Sequence, residues 1–430
     1  VDRAASAATR AFASYGIGNK NERIELFESI VAEYEKRYSD VADAISEEMG
    51  APKTLAVKYQ AGAGVAHLQA ALQLLKEFEF EEAHEGYRLR KEPIGVCGLI
   101  TPWNWPMNQV AAKVAPALAT GCTIILKPSE IAPLSAYVFT EVLDEAGVPA
   151  GVFTMINGDG PGVGTALASH PLIDMVSFTG STRAGSLVAQ NAAPTIKRVT
   201  QELGGKSANI ILDDADLGSS LLSALAVCFH AGQGCALNTR LLVPRDKQAE
   251  VEELLTTYFG FITYGDPSSE SEIMGPQVNA RQRERVLAYI EKGKEEGARI
   301  LLGGGTPEHL EKGYYVEPTV FVDVTNDMTI AREEIFGPVL CVIPHDGDDD
   351  AVRIANDSDF GLSGSVWSAS EERALGVARR VRTGTINVNG GNFYGADAPF
   401  GGYKQSGIGR EMGIEGFEEY LETRTIAIAI

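Results

Sequence analysis

The feature that most constrains the fold is an alternation of short apolar segments with helical ones, which starts at Pro93. The apolar segments have the length of buried strands and lie at residues 94–100, 123–126, 152–156 and 175–178. Helical spacing separates them at residues 107–119, 133–146, 162–168 and 184–191. Strands that alternate with helices predict a parallel, doubly wound α/β sheet. Because such sheets bind ligands beyond the carboxyl ends of their strands, the loops at those ends are candidate site segments.

A second α/β region runs from about residue 207 to residue 402. Its predicted strands lie at 208–212, 240–243, 339–343, 364–367 and 385–388. Ahead of the first region, apolar residues at helical spacing predict helices over 2–13, 20–48 and 52–76. Residues 77–92 alternate apolar and charged side chains, which predicts a half-exposed hairpin with its turn near 84–86. The tail, 419–430, alternates as well and is expected to join a sheet of this chain or of a partner.

Composition excludes several classes of function. The chain has 430 residues with 37 basic and 58 acidic side chains, a formal net charge of −21. An acidic protein repels nucleic acid and anionic membrane surfaces, so neither is expected as a partner. The five cysteines are scattered without a C-x-x-C, and the six histidines form no ligand pattern. We therefore expect no disulfide framework, no metal site and a cytoplasmic location.

The sharpest candidate nucleophile is Cys235, in the segment His230-Ala-Gly-Gln-Gly-Cys235. Gly232 and Gly234 precede it, and glycine permits positive φ and close approach of a ligand. A cysteine mounted on such a loop can act as an exposed nucleophile. The alternative for an isolated cysteine is a small buried side chain in a turn, because unpaired cysteine is among the most buried residue types.

Two further polar residues could serve a cysteine nucleophile. Glu202 precedes a Leu-Gly-Gly turn between the two α/β regions, and a carboxylate there can activate water. Its alternative is an acid at a helix end beside a glycine cap. Asn104 lies in the stiff segment Pro102-Trp-Asn-Trp-Pro106, where its amide could stabilise an oxyanion. The alternative for Asn104 is a turn asparagine between tryptophans that pack in the core.

Three loops after predicted strands carry groups that suit a nucleotide. Lys127-Pro-Ser-Glu130 offers an ammonium, a hydroxyl and a carboxylate, but also resembles a helix cap. The glycine-rich segment 158–164 is a turn as readily as a phosphate cradle. Phe178-Thr-Gly-Ser-Thr182 leads into a helix whose first N–H groups are free for an anion.

Seven motifs occur in one order along the chain, and together they resemble the hallmark motifs of the NAD(P)-dependent aldehyde dehydrogenase superfamily. They are Trp103-Asn104 between prolines, Lys127-Pro-Ser-Glu130, Phe178-Thr-Gly-Ser-Thr182, Glu202-Leu-Gly-Gly205, Gly232-Gln-Gly-Cys235, Glu333-Glu-Ile-Phe-Gly-Pro338 and Pro399-Phe-Gly-Gly-Tyr-Lys-Gln-Ser-Gly407. The resemblance extends over essentially the whole chain.

The resemblance implies oxidation of an aldehyde to the carboxylic acid with reduction of NAD(P)+. Cys235 would form a thiohemiacetal, with the Asn104 amide and the Cys235 backbone N–H holding the oxyanion. Hydride transfer would leave a thioester on Cys235, and Glu202 would activate the water that hydrolyses it. Burial that raises the pKa of Glu202 towards neutrality would suit this role.

The resemblance also implies the residues that bind the cofactor. Lys127 and Glu130 would bind the adenosine ribose, Ser181 the pyrophosphate and Glu334 the nicotinamide ribose, with Phe336 beside it. The full predicted set is Ile100, Thr101, Pro102, Trp103, Lys127, Ser129, Glu130, Gly160, Gly164, Phe178, Thr179, Gly180, Ser181, Leu203, Gly204, Glu334 and Phe336. An acid at Glu130 repels a 2′-phosphate, which favours NAD without excluding NADP.

The expected fold class is α/β, with a doubly wound cofactor-binding domain, an α/β catalytic domain, and a hairpin and C-terminal strand for oligomerisation. We assign 1–75 and 94–203 to the NAD(P)-binding domain, to which 405–417 returns. We assign 204–404 to the catalytic domain. In the family the segments at 76–93 and 418–430 build the oligomer, so a homodimer or homotetramer is expected. The family pattern also leads us to expect further strands ahead of Val1.

Three alternatives stay open. A coenzyme A-acylating relative would release the thioester to coenzyme A, although such enzymes tend to lack the acid found at Glu202. A cysteine hydrolase would use His230 as base, and a non-catalytic relative would keep only the fold. For the small-molecule aldehyde, the predicted pocket residues are Trp105, Asn108, Gly234, Ala236 and Phe393. They suggest an open pocket with aromatic walls for medium-sized or aromatic aldehydes.

Overall fold

The computed structural model describes residues 1–391 and 395–429. Its α-helices are α1 (Asp2–Tyr15), α2 (Lys20–Lys36), α3 (Tyr38–Met49), α4 (Lys53–Leu55), α5 (Gly62–Glu77), α6 (Pro106–Thr120), α7 (Leu134–Glu145), α8 (Thr165–Ser169), α9 (Thr182–Ala192), α10 (Leu217–Ser220), α11 (Gln248–Phe259), α12 (Ala280–Glu295), α13 (Thr329–Arg332), α14 (Asp348–Asn356), α15 (Glu371–Ala378) and α16 (Gly413–Glu418). Two π-helical segments, Ala56–Ala61 and Gly160–Gly164, precede α5 and α8. No helix within the described residues is both long and apolar enough to cross a membrane.

The strands form three main sheets and one short pair. They are β1 (Glu81–His84), β2 (Tyr87–Pro93), β3 (Val96–Ile100), β4 (Thr123–Lys127), β5 (Phe153–Met155), β6 (Met175–Thr179), β7 (Arg198–Glu202), β8 (Ala208–Ile211), β9 (Arg240–Pro244), β10 (Arg299–Leu302), β11 (Thr319–Val322), β12 (Val339–His345), β13 (Phe360–Gly361), β14 (Gly364–Trp367), β15 (Asn387–Val388), β16 (Tyr403–Lys404), β17 (Gly407–Ile408) and β18 (Leu421–Ala427).

The first sheet has six strands in the order β17-β7-β6-β3-β4-β5. All its pairs are parallel except β17 with β7, and β3, β4 and β6 are buried along their whole length. Alanines of α1 pack with Ile100 and Ile125 on one face, and α5, α6 and α7 contribute to the core on the other. This arrangement confirms the predicted doubly wound sheet and adds β7, which the apolar pattern did not reveal.

The second sheet has seven strands in the order β10-β11-β12-β9-β8-β14-β15. It contains all five strands predicted for the second region, and only β10 pairs antiparallel. Apolar clusters cover both faces of this sheet. One cluster includes residues of α12 and α14, and the other includes residues of α11 and of the 3₁₀-helical segment Leu221–Gly232, which precedes Cys235. The fold is therefore two parallel α/β sheets in succession, as the sequence predicts.

The hairpin β1–β2 and the C-terminal strand β18 form a separate three-stranded antiparallel sheet. The turn lies at Glu85 and Gly86, as predicted, and Gly86 has a positive φ of 80°. The tail pairs with β2 of its own chain, from Leu421 opposite Pro93 to Ala427 opposite Tyr87. One edge of β18 therefore has no neighbouring strand among the described residues.

Two helical predictions are wrong in detail. The stretch 20–48 is two helices, because Arg37 leaves the helical region with φ −98° and ψ 9°. The stretch 52–76 is not one α-helix, because Ala56–Ala61 forms a π-helical turn before α5. π-helical turns inside helices frequently occur at functional sites.

Candidate active site

The predicted nucleophile loop and the loop after β3 are in direct contact. The side-chain Nδ2 of Asn104 donates a hydrogen bond of 3.0 Å to the backbone oxygen of Gln233, two residues before Cys235. The chain after β7 also passes against this loop, because a Cβ on Gly205 would lie 2.7 Å from the carbonyl oxygen of Cys235. The structure thus brings together the loops that carry Asn104, Glu202 and Cys235.

Cys235 differs from the other four cysteines in its exposure. All five thiols are free, but the others are buried, whereas Cys235 is partly exposed. It packs beside the apolar residues Leu362, Phe400 and Met412. Its surroundings raise the pKa of its thiol to about 12, first through desolvation and then through the negative charges of Glu202 and Glu334. A reactive thiolate at this position therefore requires a base or a compensating positive charge.

Glu202 is the last residue of β7, so the helix-end alternative is wrong. The side chain is 4% exposed, and neither carboxylate oxygen has a hydrogen-bond partner among the described residues. Gly401 leaves room for it, because a Cβ at that position would lie 2.8 Å from Oε1. Burial, followed by the charge of Glu411, raises the pKa of Glu202 well above its usual value, whereas Lys113 and Arg410 oppose the shift. A carboxylate with these properties can accept a proton near neutral pH.

A buried ion pair lies within electrostatic range of Glu202, and the sequence analysis missed it. Lys113, in the middle of α6, is fully buried, and its Nζ pairs with the carboxylate of Glu411. The same Nζ donates to the Ser177 hydroxyl on β6 at 3.1 Å. The position of this lysine within the largely apolar stretch Val110–Ala119 is the one signal that could have identified the pair, since lysine is almost never fully buried unless paired.

The residues predicted for the adenosine end of the cofactor lie at the carboxyl ends of β4 and β6. Lys127 is almost fully buried and pairs with the half-exposed Glu130 at 3.0 Å. The Ser129 hydroxyl accepts the N–H of Ile131, which is a turn contact. Ser181 caps α9 by accepting the Ala184 N–H at 3.3 Å. The first turn of α9 therefore has N–H groups available for an anion.

The glycine-rich segment takes the form of a π-helical turn. Gly160 and Gly164 are its first and last residues, and Asp159 caps it by accepting the N–H of Gly162 at 2.8 Å. The segment follows β5, at the same edge of the sheet as the other candidate groups. It leads into the short helix α8 rather than a long one, unlike the usual dinucleotide fingerprint.

The residues predicted for the nicotinamide end lie around Gly204 and Gly205. Glu334 Oε1 accepts the N–H of Gly205 at 2.9 Å, and a Cβ on Gly204 would lie 2.5 Å from Glu334 Oε2. Phe336 packs edge-on against Trp103 with ring centroids 5.6 Å apart. The structure therefore brings the loop after β3 and the segment 334–336 to one place.

The remaining predicted cofactor residues lie at the ends of β3, β6 and β7. Gly180 donates its N–H to the Glu202 carbonyl at 3.0 Å, and Leu203 donates to the Ser406 carbonyl at 2.9 Å. The hydroxyls of Thr101 and Thr179 are buried and unpartnered within the described part of the chain. Ile100 and Phe178 pack in the core beneath the edge, and Pro102 continues the loop after β3. Buried hydroxyls without partners fit a site that a polar ligand completes.

The predicted pocket residues divide into three groups. Trp105 contacts Phe229 and His230 at centroid distances of 6.0 Å each, and Phe229 contacts the exposed Tyr59 at 5.5 Å. Asn108 is instead buried, with His67 at 2.8 Å. Gly234 and Ala236 flank Cys235, and the Ala236 carbonyl accepts the hydroxyl of Ser363. Phe393 lies outside the described residues. The sequence analysis missed Tyr59 and Phe229, which meet only in the folded chain.

One alternative, the cysteine hydrolase, can be compared with the geometry. Burial lowers the pKa of His230 to about 4, which leaves a weak base for a cysteine hydrolase. Nε2 of its ring has no hydrogen-bond partner in residues 1–391 and 395–429. Within the same residues, no cluster of three or more His, Cys, Asp or Glu side chains could hold a metal ion. The geometry thus favours a carboxylate over His230 as the base.

Comparison with known proteins identifies the family. The model of the aldehyde dehydrogenase family matches residues 1–426. A 3-succinoylsemialdehyde-pyridine dehydrogenase from a Pseudomonas species is 53% identical over 429 residues, which is 99% of this chain and 90% of that protein. A putative aldehyde dehydrogenase from Staphylococcus haemolyticus is 45% identical, with 99% and 90% covered.

Solved structures agree with these relatives. Aldehyde dehydrogenase C from Pseudomonas syringae, a cysteine-to-alanine mutant in complex with NAD+ and octanal, has a TM-score of 0.97 at 49% identity, with 99% of this chain and 88% of that chain covered. A Mycobacterium tuberculosis aldehyde dehydrogenase in complex with NAD+ has a TM-score of 0.97 at 40% identity, with 100% and 90% covered. The resemblance inferred from the motifs is confirmed: the chain belongs to the aldehyde dehydrogenase family of oxidoreductases, which act on the aldehyde group.

Proposed function

We propose that the chain oxidises its aldehyde through a thioester on Cys235, which water activated by Glu202 then hydrolyses. The observation that carries this proposal is the Glu202 carboxylate, which is buried and unpartnered within the described residues and close to a partly exposed cysteine. An unpartnered buried carboxylate is costly, and such groups cluster at functional sites. A water or a thiol proton would supply the partner that it lacks.

Catalysis begins with loss of the Cys235 proton, for which Glu202 is the acceptor. The thiolate sulfur then bonds to the aldehyde carbon, and the carbonyl oxygen becomes an oxyanion. Asn104 uses one amide hydrogen on the Gln233 carbonyl, which leaves the second to hold the oxyanion with the Cys235 N–H. Loss of hydride from the former aldehyde carbon then restores the carbonyl and leaves the thioester on Cys235. The bound cofactor would supply the hydride acceptor and a positive charge that favours the thiolate.

Hydrolysis of the thioester returns the site to its starting state. After its first proton has passed to solvent, Glu202 takes a proton from water and the hydroxide oxygen bonds to the acyl carbon. The carbon–sulfur bond then breaks to release the acid, and the proton on Glu202 passes to the Cys235 thiolate. Lys113 and Glu411 adjust the basicity of Glu202 with opposite signs, because their charges act on it from the same buried region. The presence of Glu202 favours hydrolysis over transfer to coenzyme A.

For the cofactor we propose NAD. Relatives of this chain have been solved with NAD+, and the acid Glu130 beside Lys127 disfavours a 2′-phosphate. In this proposal Lys127 and Glu130 contact the adenosine ribose, the first turn of α9 the pyrophosphate, and Glu334 the nicotinamide ribose. The first sheet, with 405–417 returning to it, is then the cofactor-binding domain and 204–404 the catalytic domain.

For the substrate we propose an aldehyde with a medium-sized apolar or aromatic tail. Trp105, Phe229 and Tyr59 form a continuous row of ring contacts that reaches from the Asn104 loop to an exposed side chain. One relative is named for a pyridine semialdehyde, and another was solved with octanal. Both aldehydes carry an apolar group that aromatic side chains can contact.

We also propose a homodimer or homotetramer in the cytoplasm. Among the described residues β18 is an edge strand of the three-stranded sheet, and edge strands readily pair with another chain. Five free thiols are consistent with a reducing compartment.

The proposal is tested by single-turnover detection of NADH with two variants. Cys235→Ala is expected to form no NADH, because no covalent adduct precedes hydride transfer. Glu202→Gln is expected to give at most one burst of NADH per site and then turnover about 10²–10⁴-fold slower, the range typical of lost general base catalysis. Normal steady-state turnover by Glu202→Gln would refute the assignment of the base. Retained NADH formation by Cys235→Ala would refute that of the nucleophile.

A further inference from the structure

The backbone immediately before Cys235 adopts a rare conformation. Three consecutive residues have left-handed dihedrals, with φ values of 56° at His230, 53° at Ala231 and 73° at Gly232. Glycine is required at the third position, because a Cβ there would lie 2.0 Å from the carbonyl of Gly337. His230 and Ala231 carry a Cβ, so these dihedrals are unfavourable for them. Non-glycine residues keep such dihedrals only where their surroundings hold them. We call residues 230–232 the left-handed turn.

Two buried glutamines hold this turn against the segment 276–278. Gln277 is 1% exposed, and its Nε2 donates to the carbonyl of Ala231 at 2.8 Å. Gln233 is fully buried, and its Nε2 is 3.1 Å from the carbonyl of His230 and 3.3 Å from that of Pro276. Its Oε1 accepts the N–H of Val278 at 2.9 Å. The two side chains thus satisfy the carbonyls of both non-glycine residues of the turn.

The same contacts reach the reacting groups. The Gln233 carbonyl accepts the Asn104 side chain, so the position of Gln233 sets the direction of the amide. Only Gly234 separates Gln233 from Cys235. A shift of the left-handed turn would therefore move the nucleophile and rotate the amide together. Displacements of about 1 Å at a reacting group can cost roughly 10²-fold in rate.

We propose that Gln277 is a positioning residue for the reaction, acting through the left-handed turn to place Cys235 and Asn104. This inference rests on the roles proposed above for those two residues. Gln277 lies outside every motif that carries the family resemblance, and it touches the turn rather than any reacting atom. Its function is to hold the turn's backbone by donating to Ala231, not to fill volume in the core.

The test compares Gln277→Met with Gln60→Met, two replacements of a buried glutamine by a side chain of similar length. Gln60 is fully buried and its Nε2 donates to the sulfur of Met49, so it controls for the loss of a buried amide. We expect Gln277→Met to lower kcat about ten- to a hundredfold. We expect the KM for NAD+ to stay within about threefold, and alkylation of Cys235 by iodoacetamide to slow several-fold. Gln60→Met should change each value less than about twofold.

A second variant separates positioning from folding. Ala231→Gly removes the conformational cost of the left-handed dihedrals, so the turn no longer depends as strongly on Gln277. The double variant Gln277→Met with Ala231→Gly should recover at least severalfold of the lost kcat. The inference is overturned if Gln277→Met keeps kcat and alkylation rate within twofold, or if the double variant is no faster than Gln277→Met. Activity retained by Cys235→Ala would instead overturn the proposed function.

Discussion

The buried pair Lys113–Glu411 allows a prediction whose sign depends on which partner is removed. Lys113 lowers the pKa of Glu202 and Glu411 raises it. If Glu202 is the base, its ionisation sets the acid limb of the kcat profile, because only the carboxylate accepts a proton. Lys113→Met should move that limb to higher pH, since it removes a positive charge and leaves Glu411 unpaired. Glu411→Gln should move it to lower pH, since the negative charge is lost and Lys113 is left unpaired.

The expected magnitudes follow from burial. A nearby charge shifts the pKa of a carboxyl by about 1–3 units. Several charges act on Glu202 here, so we expect shifts of about one unit in each direction. Lys113 is fully buried and Glu411 is 8% exposed, so the figure for buried pairs applies rather than that for surface pairs. Removal of one partner should lower the free energy of unfolding by about 3–5 kcal/mol, because the other charge stays buried without compensation.

The double variant Lys113→Met with Glu411→Gln controls for these losses. It leaves no unpaired charge, so its thermal unfolding midpoint should lie well above those of both single variants. Its acid limb should lie between theirs. The assay is kcat for one aldehyde from about pH 5 to 9 at saturating cofactor, with unfolding scans at one fixed rate. Equal shifts of both single variants in the same direction would refute the placement of Glu202 between these two charges.

Three further predictions follow from other parts of the site. Tyr59→Ala should lower kcat/KM for an aryl-tailed aldehyde severalfold more than for acetaldehyde, because only the longer tail reaches the exposed ring. Replacement of another exposed tyrosine, Tyr137→Ala, is the control, and an equal loss for both aldehydes would contradict the proposed row of rings. Glu130→Ala should improve kcat/KM for NADP+ relative to NAD+, because it removes the acid paired with Lys127; an unchanged ratio in initial-rate assays would count against the ribose assignment. Thr425→Pro, in the middle of β18, should weaken the oligomer, because proline has no backbone N–H to donate to a strand of another chain. Light scattering that shows no smaller species would count against a place for the tail in the interface.

The parts of the fold that sequence predicts are those with an apolar period. The strands β3, β4 and β6 are buried at every residue, so they appear as unbroken apolar segments. The strand β7 was missed because it ends in Thr200, Gln201 and Glu202, which are polar and yet buried. These residues are buried by neighbouring strands, and the local pattern of apolar residues does not show which strands will be neighbours.

The residues of the candidate site also divide into those that a local sequence motif predicts and those that only the folded structure shows. Cys235, Glu202 and Asn104 stand in short local motifs, so sequence alone nominates them. Lys113 and Glu411 meet across 298 positions, and no local spacing links them. Gln277 likewise reaches Ala231 from 46 positions away. Groups that adjust a reacting residue through space are visible only once the sheets are assembled.

Some of the buried polar groups without partners lie near the candidate catalytic and cofactor residues. Among the described residues, the hydroxyls of Thr101 and Thr179, both carboxylate oxygens of Glu202 and Nε2 of His230 have no hydrogen-bond partner. An unpartnered buried group costs about 1–3 kcal/mol, and more when it is charged, so a fold keeps several together only where something offsets the cost. A polar ligand and a reacting water at this site would supply those partners. The unmet hydrogen bonds of Glu202, Thr101 and Thr179 therefore support the same proposal as the motifs, because the contacts that such a ligand and water make would offset the cost of burying these groups.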